Sequence, residues 1–167
     1  MQGAPTPTRG LKFLGRYLFQ MDEKGRVALP AAFRWGSGNG GGASGGAGAK
    51  EGSDQRFVLI QAYPPALALY PESEWAGVEE RLRELVQHQP DARMYVLSVM
   101  SNAVELAPDS QGRILIPARL KEAAELAGPV LLVGAIDKVE IWNPAKFEIA
   151  VTAKSEGFER FAPQIFR

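Results

Sequence analysis

MDEKGRVALP (residues 21–30) and PDSQGRILIP (residues 108–117) are one element written twice. Each runs Asp, two residues, Gly-Arg, three residues dominated by apolar side chains, then Pro. Asp22 matches Asp109, Gly25 matches Gly112, Arg26 matches Arg113 and Pro30 matches Pro117, all at an offset of 87. A fixed offset over several residue types is the mark of an internal repeat, and a repeat constrains the architecture before any local reading does.

The repeat continues downstream. FVLIQAYPPALALYPESEW (57–75) aligns with PVLLVGAIDKVEIWNPAKF (129–147) at an offset of 72: Val58 with Val130, Leu69 with Ile141, Tyr70 with Trp142 and Trp75 with Phe147. The offset shortens by 15 between the blocks, and the glycine-rich tract GSGNGGGASGGAGAKEGSD (36–54) occupies that interval in the first copy only. The chain is therefore expected to comprise an N-terminal arm (1–12), a first half (13–88) with a loop insertion at 36–54, a second half (89–154) with a linking helix, and a C-terminal tail (155–167). The arm, rich in Pro and Thr, reads as disordered. The insertion reads as a flexible loop, since Gly/Ser-rich sequence behaves as coil.

Within each half, 13–21 and 100–107 are expected as strands leading into the motif, and RVALP and RILIP as second strands stopped by proline. A short helix follows, 31–35 in the first half and 117–128 in the second, with Pro117 in its first turn and Gly128 at its end. Two short strands come next, alternating as in KVEIW. A closing helix carries Trp75, Val78, Leu82, Leu85 and Val86 at helical spacing in the first half. In the second half Asn143 is its cap and Pro144 its first residue. Residues 91–99 read as the linking helix. Each half alone is small for a stable core, so the two are expected to interlock their strands into one barrel, as a symmetric homodimer would with two chains.

Composition narrows the function. There is no cysteine, and His88 is the single histidine, so no disulfide framework, thiolate chemistry or histidine-rich metal site is expected. His88 is expected on a solvated helix end. Lys50 lacks the flanking residues of a phosphate-binding loop, and the neighbouring carboxylates Asp22–Glu23 and Glu79–Glu80 do not face each other as an acid–base pair would. No catalytic residue, cofactor, metal, small-molecule substrate or membrane span is expected, and the chain reads as a non-enzyme. Net formal charge is zero, yet the cations are concentrated. Residues 1–35 carry Arg9, Lys12, Arg16, Lys24, Arg26 and Arg34 against Asp22 and Glu23, a net +4. Residues 72–91 carry a net −4.

The motif has two readings. Glycine between two strands accepts a positive φ, and aspartate bonds the turn's own amides, so Asp22, Gly25, Asp109 and Gly112 describe well-made hairpins. That accounts for Asp and Gly but not for an arginine after glycine in both copies. An Asp–Arg ion pair is one explanation, although exposed pairs contribute little. A two-pronged contact of Arg26 and Arg113 with phosphate or guanine edges is the other. From the residues alone both stand.

The pattern D-x-K-G-R-x-x-x-P-x-x-F-R, from Asp22 to Arg34, resembles the first half of the MraZ family, as do LALYPESEW (67–75) and the second copy DSQGRILIPARLKEAAELAG with VLLVGAIDKVEIW. The resemblance covers about residues 13–150. It implies an α+β fold: a double-split β-barrel of the SpoVT/AbrB type, built from two homologous half-barrels with flanking helices. It implies a cytoplasmic, nucleoid-associated transcriptional regulator. Such a protein binds double-stranded DNA at direct repeats upstream of its own gene, in the division and cell-wall gene cluster, and assembles into rings. The DNA-binding positions it implies are Lys24, Arg26 and Arg113, with Gln111 and Arg34 counted beside them. Gln111 stands where the first copy has Lys24, so the second turn is expected to hold phosphate more weakly. Two rivals are an antitoxin-type DNA-binding protein on the same barrel and a ring-forming scaffold without DNA binding. The tail, with Phe158, Phe161, Ile165 and Phe166, is expected to pack on a barrel, its own or a neighbour's.

Overall fold

The structure is a computed structural model that describes residues 12–34, 55–153 and 156–166. The expected arm (1–12, Lys12 apart) and glycine-rich insertion (36–54) lie outside the described residues. The first half contributes β1 (Arg16–Gln20), β2 (Arg26–Ala28), the one-turn helix α1 (Ala31–Arg34), β3 (Phe57–Tyr63), β4 (Ala66–Pro71) and α2 (Glu72–His88). A 3-10 turn (Pro90–Ala92) leads into α3 (Arg93–Asn102). The second half repeats the order with β5 (Val104–Leu106), β6 (Arg113–Leu115), α4 (Ala118–Ala123), β7 (Pro129–Gly134), β8 (Val139–Trp142) and α5 (Pro144–Thr152), followed by α6 (Gly157–Ile165).

The strands form a six-stranded antiparallel sheet, β1-β7-β8-β4-β3-β5, and a two-stranded sheet, β2-β6. Exchanging each strand for its repeat counterpart turns either order into its own reverse. The registers locate the pseudo-two-fold axis. Val27 pairs with Ile114, its own counterpart at offset 87, and Ala68 pairs with Glu140, its own counterpart at offset 72. The first strand of each half is also exchanged: β1 pairs with β7 and β5 with β3. This is the double-split barrel, an α+β fold in which the two halves interlock.

One core unites both halves. Phe57, Leu59, Leu67 and Leu69 face the same interior as Val130, Leu132, Val139 and Ile141, closed by Val27 and Ile114 from the small sheet and by Leu29 and Ile116 just after its strands. Alternate residues point to the other face. There Val58, Ile60, Ala68 and Tyr70 meet Trp75 and Val78 of α2 and Val99 of α3, while Ala66, Leu131 and Trp142 lie under α5. Helices cover the outer face of the sheet, so β3 and β4 read as nearly unbroken apolar runs rather than as alternating ones.

Several expected boundaries shift. The strand expected over 100–107 is only β5, because α3 continues to Asn102, where Ser101 Oγ and Asn102 Nδ2 donate to the Ser98 carbonyl. β5 pairs only with Phe57–Leu59, so its partner defines its length. The strand expected over 13–21 is β1 preceded by an isolated bridge from Phe13 to Ile136. The helix expected over 117–128 is α4, with Pro117 at its cap rather than inside it. Glu125, not Gly128, takes the left-handed position after α4, at φ 52°. Leu126 N there donates to the Lys121 carbonyl, and Asn143 Nδ2 to that of Glu125. Burial of Ala124 and Leu126 on either side holds Glu125 in that conformation. The Asn143 cap is as expected, its side chain accepting from Ala145 N and Lys146 N. The tail forms α6, whose Phe161 and Ile165 line a groove of about 470 Å³ with Trp142 and Phe147; Phe158, Ile165 and Phe166 remain largely exposed.

Candidate functional site

The two Gly-Arg turns are built alike, atom for atom. Asp22 Oδ1 accepts from Lys24 N (3.0 Å) and Arg26 N (2.8 Å), and its Oδ2 from Arg26 Nε (2.7 Å). Asp109 Oδ1 accepts from Gln111 N (2.9 Å) and Arg113 N (2.9 Å), and its Oδ2 from Arg113 Nε (3.0 Å). The backbone closes each turn as well, with Gly25 N donating to the Asp22 carbonyl and Gly112 N to that of Asp109. Both glycines are left-handed, at φ 83° and 73°, where any other residue is strained.

The turns sit side by side because β2 and β6 form their own two-stranded ladder across the pseudo-axis. Leu29 N donates to the Gly112 carbonyl and Ile116 N to that of Gly25, so each strand end is tied to the other half's turn. Arg113 Nη1 comes within 3.9 Å of Asp22 Oδ2, linking the turns directly. Both arginines keep part of their surface in solvent, 32% for Arg26 and 28% for Arg113. The Asp–Arg pair of the structural reading is thus real, but it uses Nε. Arg26 keeps both terminal nitrogens as a fork for a phosphate or a base edge, whereas Arg113 keeps Nη2 and turns Nη1 toward Asp22.

Both carboxylates are held below the usual value of 3.8. The backbone N–H of the arginine four residues on is the largest cause; the arginine side chain adds to it, and desolvation opposes it in part. A folded value below the unfolded one stabilises the fold above pH 3.8, and that gain fades as pH falls through the folded value. Asp22→Asn and Asp109→Asn are therefore expected to destabilise the protein at neutral pH, by a margin that narrows at a second, acidic pH below 3.8. Urea midpoints at both pH values check this; an unchanged gap would show that the charge is irrelevant.

Of the other expected site residues, Lys24 is exposed on the first turn, and Gln111 on the second. Arg34 belongs to the first half yet lies against Gly112: a Cβ there would meet its Nη1 at 2.4 Å and Cζ at 2.7 Å. Lys121 mirrors it. A Cβ on Gly25 would meet Lys121 Nζ at 3.3 Å and the Ile116 carbonyl oxygen at 3.0 Å. Lys121 stands outside the residues expected from the sequence, although PAAFR (30–34) and PARLK (117–121) align at the motif's own offset of 87. Among the described residues, no three acidic or histidine side chains converge as a metal site would require, and no helix is long and apolar enough to cross a membrane.

Comparison with known proteins agrees with this doubled architecture. The family model described as "MraZ protein, putative antitoxin-like" matches twice, over residues 13–97 and 99–164. The chain is 40% identical to the transcriptional regulator MraZ of Desulfitobacterium hafniense (strain DSM 10664 / DCB-2) over 133 residues, 80% of this chain and 82% of that protein. It is 33% identical to that of Pediococcus pentosaceus and 34% identical to that of Desulforamulus reducens, each over 92% of this chain and 96% of the relative. Two matched repeats, an interlocked barrel and paired Asp–Gly–Arg turns on its pseudo-axis lead to one conclusion: the chain belongs to the MraZ family.

Proposed function

We propose that this protein is a sequence-specific DNA-binding transcriptional regulator. It acts in the cytoplasm on the nucleoid and binds direct repeats upstream of its own gene, in the division and cell-wall gene cluster. Arg26 and Arg113 make the principal contacts, Lys24, Gln111 and Arg34 assist, and Asp22, Gly25, Asp109 and Gly112 shape the turns. It is not an enzyme and needs no cofactor. The observation that carries this reading is the pairing of two identically braced guanidiniums across a pseudo-two-fold axis, a geometry suited to two points on a duplex. The names of its relatives, transcriptional regulators, point the same way.

Self-association into a ring belongs to the same proposal. Two separate faces expose large apolar side chains: Met94, Tyr95, Leu97 and Met100 on α3, and Phe158, Phe161, Ile165 and Phe166 at α6. Two different patches on one protomer suit a head-to-tail contact, which makes a ring when the rotation from one subunit to the next closes. A ring presenting several turn pairs to tandem repeats gains affinity by roughly 10²–10⁴ with no new contact. A solution mass of one chain would remove this part of the reading.

The test is binding to DNA from upstream of the gene, against a scrambled duplex, over a salt series. Preference for the upstream DNA is expected, with affinity falling steeply as salt rises. Equal binding to both duplexes, or none, would return the turns to a structural role and favour the scaffold.

A further inference from the structure

Each Gly-Arg turn is electrically balanced within itself. Arg26 is paired with Asp22, and Arg113 with Asp109. Two neutral pairs do not draw a polyanion, so the attraction must come from neighbouring cations that have no carboxylate of their own. Arg16, Arg83 and Lys146, elsewhere on the molecule, are paired with Glu148, with Glu79 and Glu80, and with Glu125. No ion pair among the described residues involves Lys24, Arg34 or Lys121. Lys24 is on the first turn, Lys121 lies over its glycine, and Arg34 lies over the glycine of the second. Glu23 and Glu122 adjoin Lys24 and Lys121 in sequence, but neither is paired with them.

We propose that Lys121 is a phosphate-contacting residue of the DNA interface and that the two turns are composites. Lys121 reaches from the second half to serve the first turn, and Arg34 from the first half to serve the second. The two cations occupy equivalent positions, each next to a glycine whose missing side chain leaves room for it. The crossing follows from the β2–β6 ladder, which places the end of each strand, and the helix after it, beside the opposite turn. Arg34 carries an additional mark: its Nε is buried without a hydrogen-bond partner, an uncommon state for an arginine donor. The first turn then commands two such cations, Lys24 and Lys121, and the second only Arg34, since Gln111 is neutral. Neither half carries a complete contact by itself.

This inference rests on the turns being the DNA interface, and the experiment separates the two ideas. Full-length wild type, Lys121→Gln, Lys121→Arg and Arg26→Ala are titrated with upstream and scrambled duplexes over a salt series, with thermal melts as a control on folding. Lys121→Gln is expected to weaken binding to both duplexes alike. Its plot of log affinity against log salt should be shallower by about 0.9 per engaged subunit. Lys121→Arg should restore that slope. If Lys121→Gln keeps the wild-type slope, the residue is packing over Gly25 and the proposal fails, whether or not affinity drops. If it keeps slope and affinity while Arg26→Ala loses binding, the proposal fails and the DNA reading stands. Absence of upstream preference in wild type would overturn both.

Discussion

Replacing Arg26 and Arg113 together with alanine is expected to abolish the preference for upstream DNA while leaving the fold intact. Each guanidinium that contacts a base edge or phosphate is worth about 1–3 kcal/mol, so the double variant should lose roughly 2–6 kcal/mol per turn pair. The single losses need not add, since Arg113 lies within 3.9 Å of the Asp22 that braces Arg26. The turns survive because their framework is independent of the arginine side chains. Asp22 Oδ1 and Asp109 Oδ1 still accept from backbone amides, and the glycines still close the turns. Lysine should rescue poorly. Each arginine spends Nε on its aspartate and still keeps a terminal nitrogen for a second partner, whereas one ammonium group cannot hold the same planar geometry with both. DNA titration beside a circular dichroism spectrum tests this. Binding within twofold of wild type, with a native spectrum, would remove the arginines from the interface.

Phe33→Ala is expected to cost the most stability, about 3–5 kcal/mol, a large part of what holds a domain folded. Phe33 is fully buried and meets Phe13 edge-on at 5.6 Å and Tyr17 at 5.1 Å. It is the buried anchor of α1, which at four residues has too few internal hydrogen bonds to persist unaided. Its loss should also release Arg34 from Gly112, so DNA affinity should fall at temperatures where the protein remains folded. Thermal melts and DNA titration at low temperature measure the two effects. A stability change below about 1 kcal/mol would mean that α1 is held by something other than this aromatic cluster.

The sequence by itself determined whatever depends on neighbouring residues. Asp22 and Asp109, each four residues before an arginine and three before a glycine, encode complete turns whose hydrogen bonds close within five residues. Asn143-Pro144 encodes a helix start. The two offsets encode the duplication and, through it, the pseudo-symmetry. Only the tertiary structure decided which strands exchange. Pairing β1 with β7 and β5 with β3 depends on backbone groups at least 45 residues apart in sequence, which leave no local pattern. It also decided where α3 yields to β5, because the ladder with β3 has only three residues to offer. Burial on both sides made Glu125 adopt the left-handed position, against its local preference. Most consequentially for the site, tertiary structure laid Arg34 and Lys121 over the opposite half's glycines. The repeat makes the two cations equivalent, but only the crossing of β2 and β6 turns that equivalence into contact.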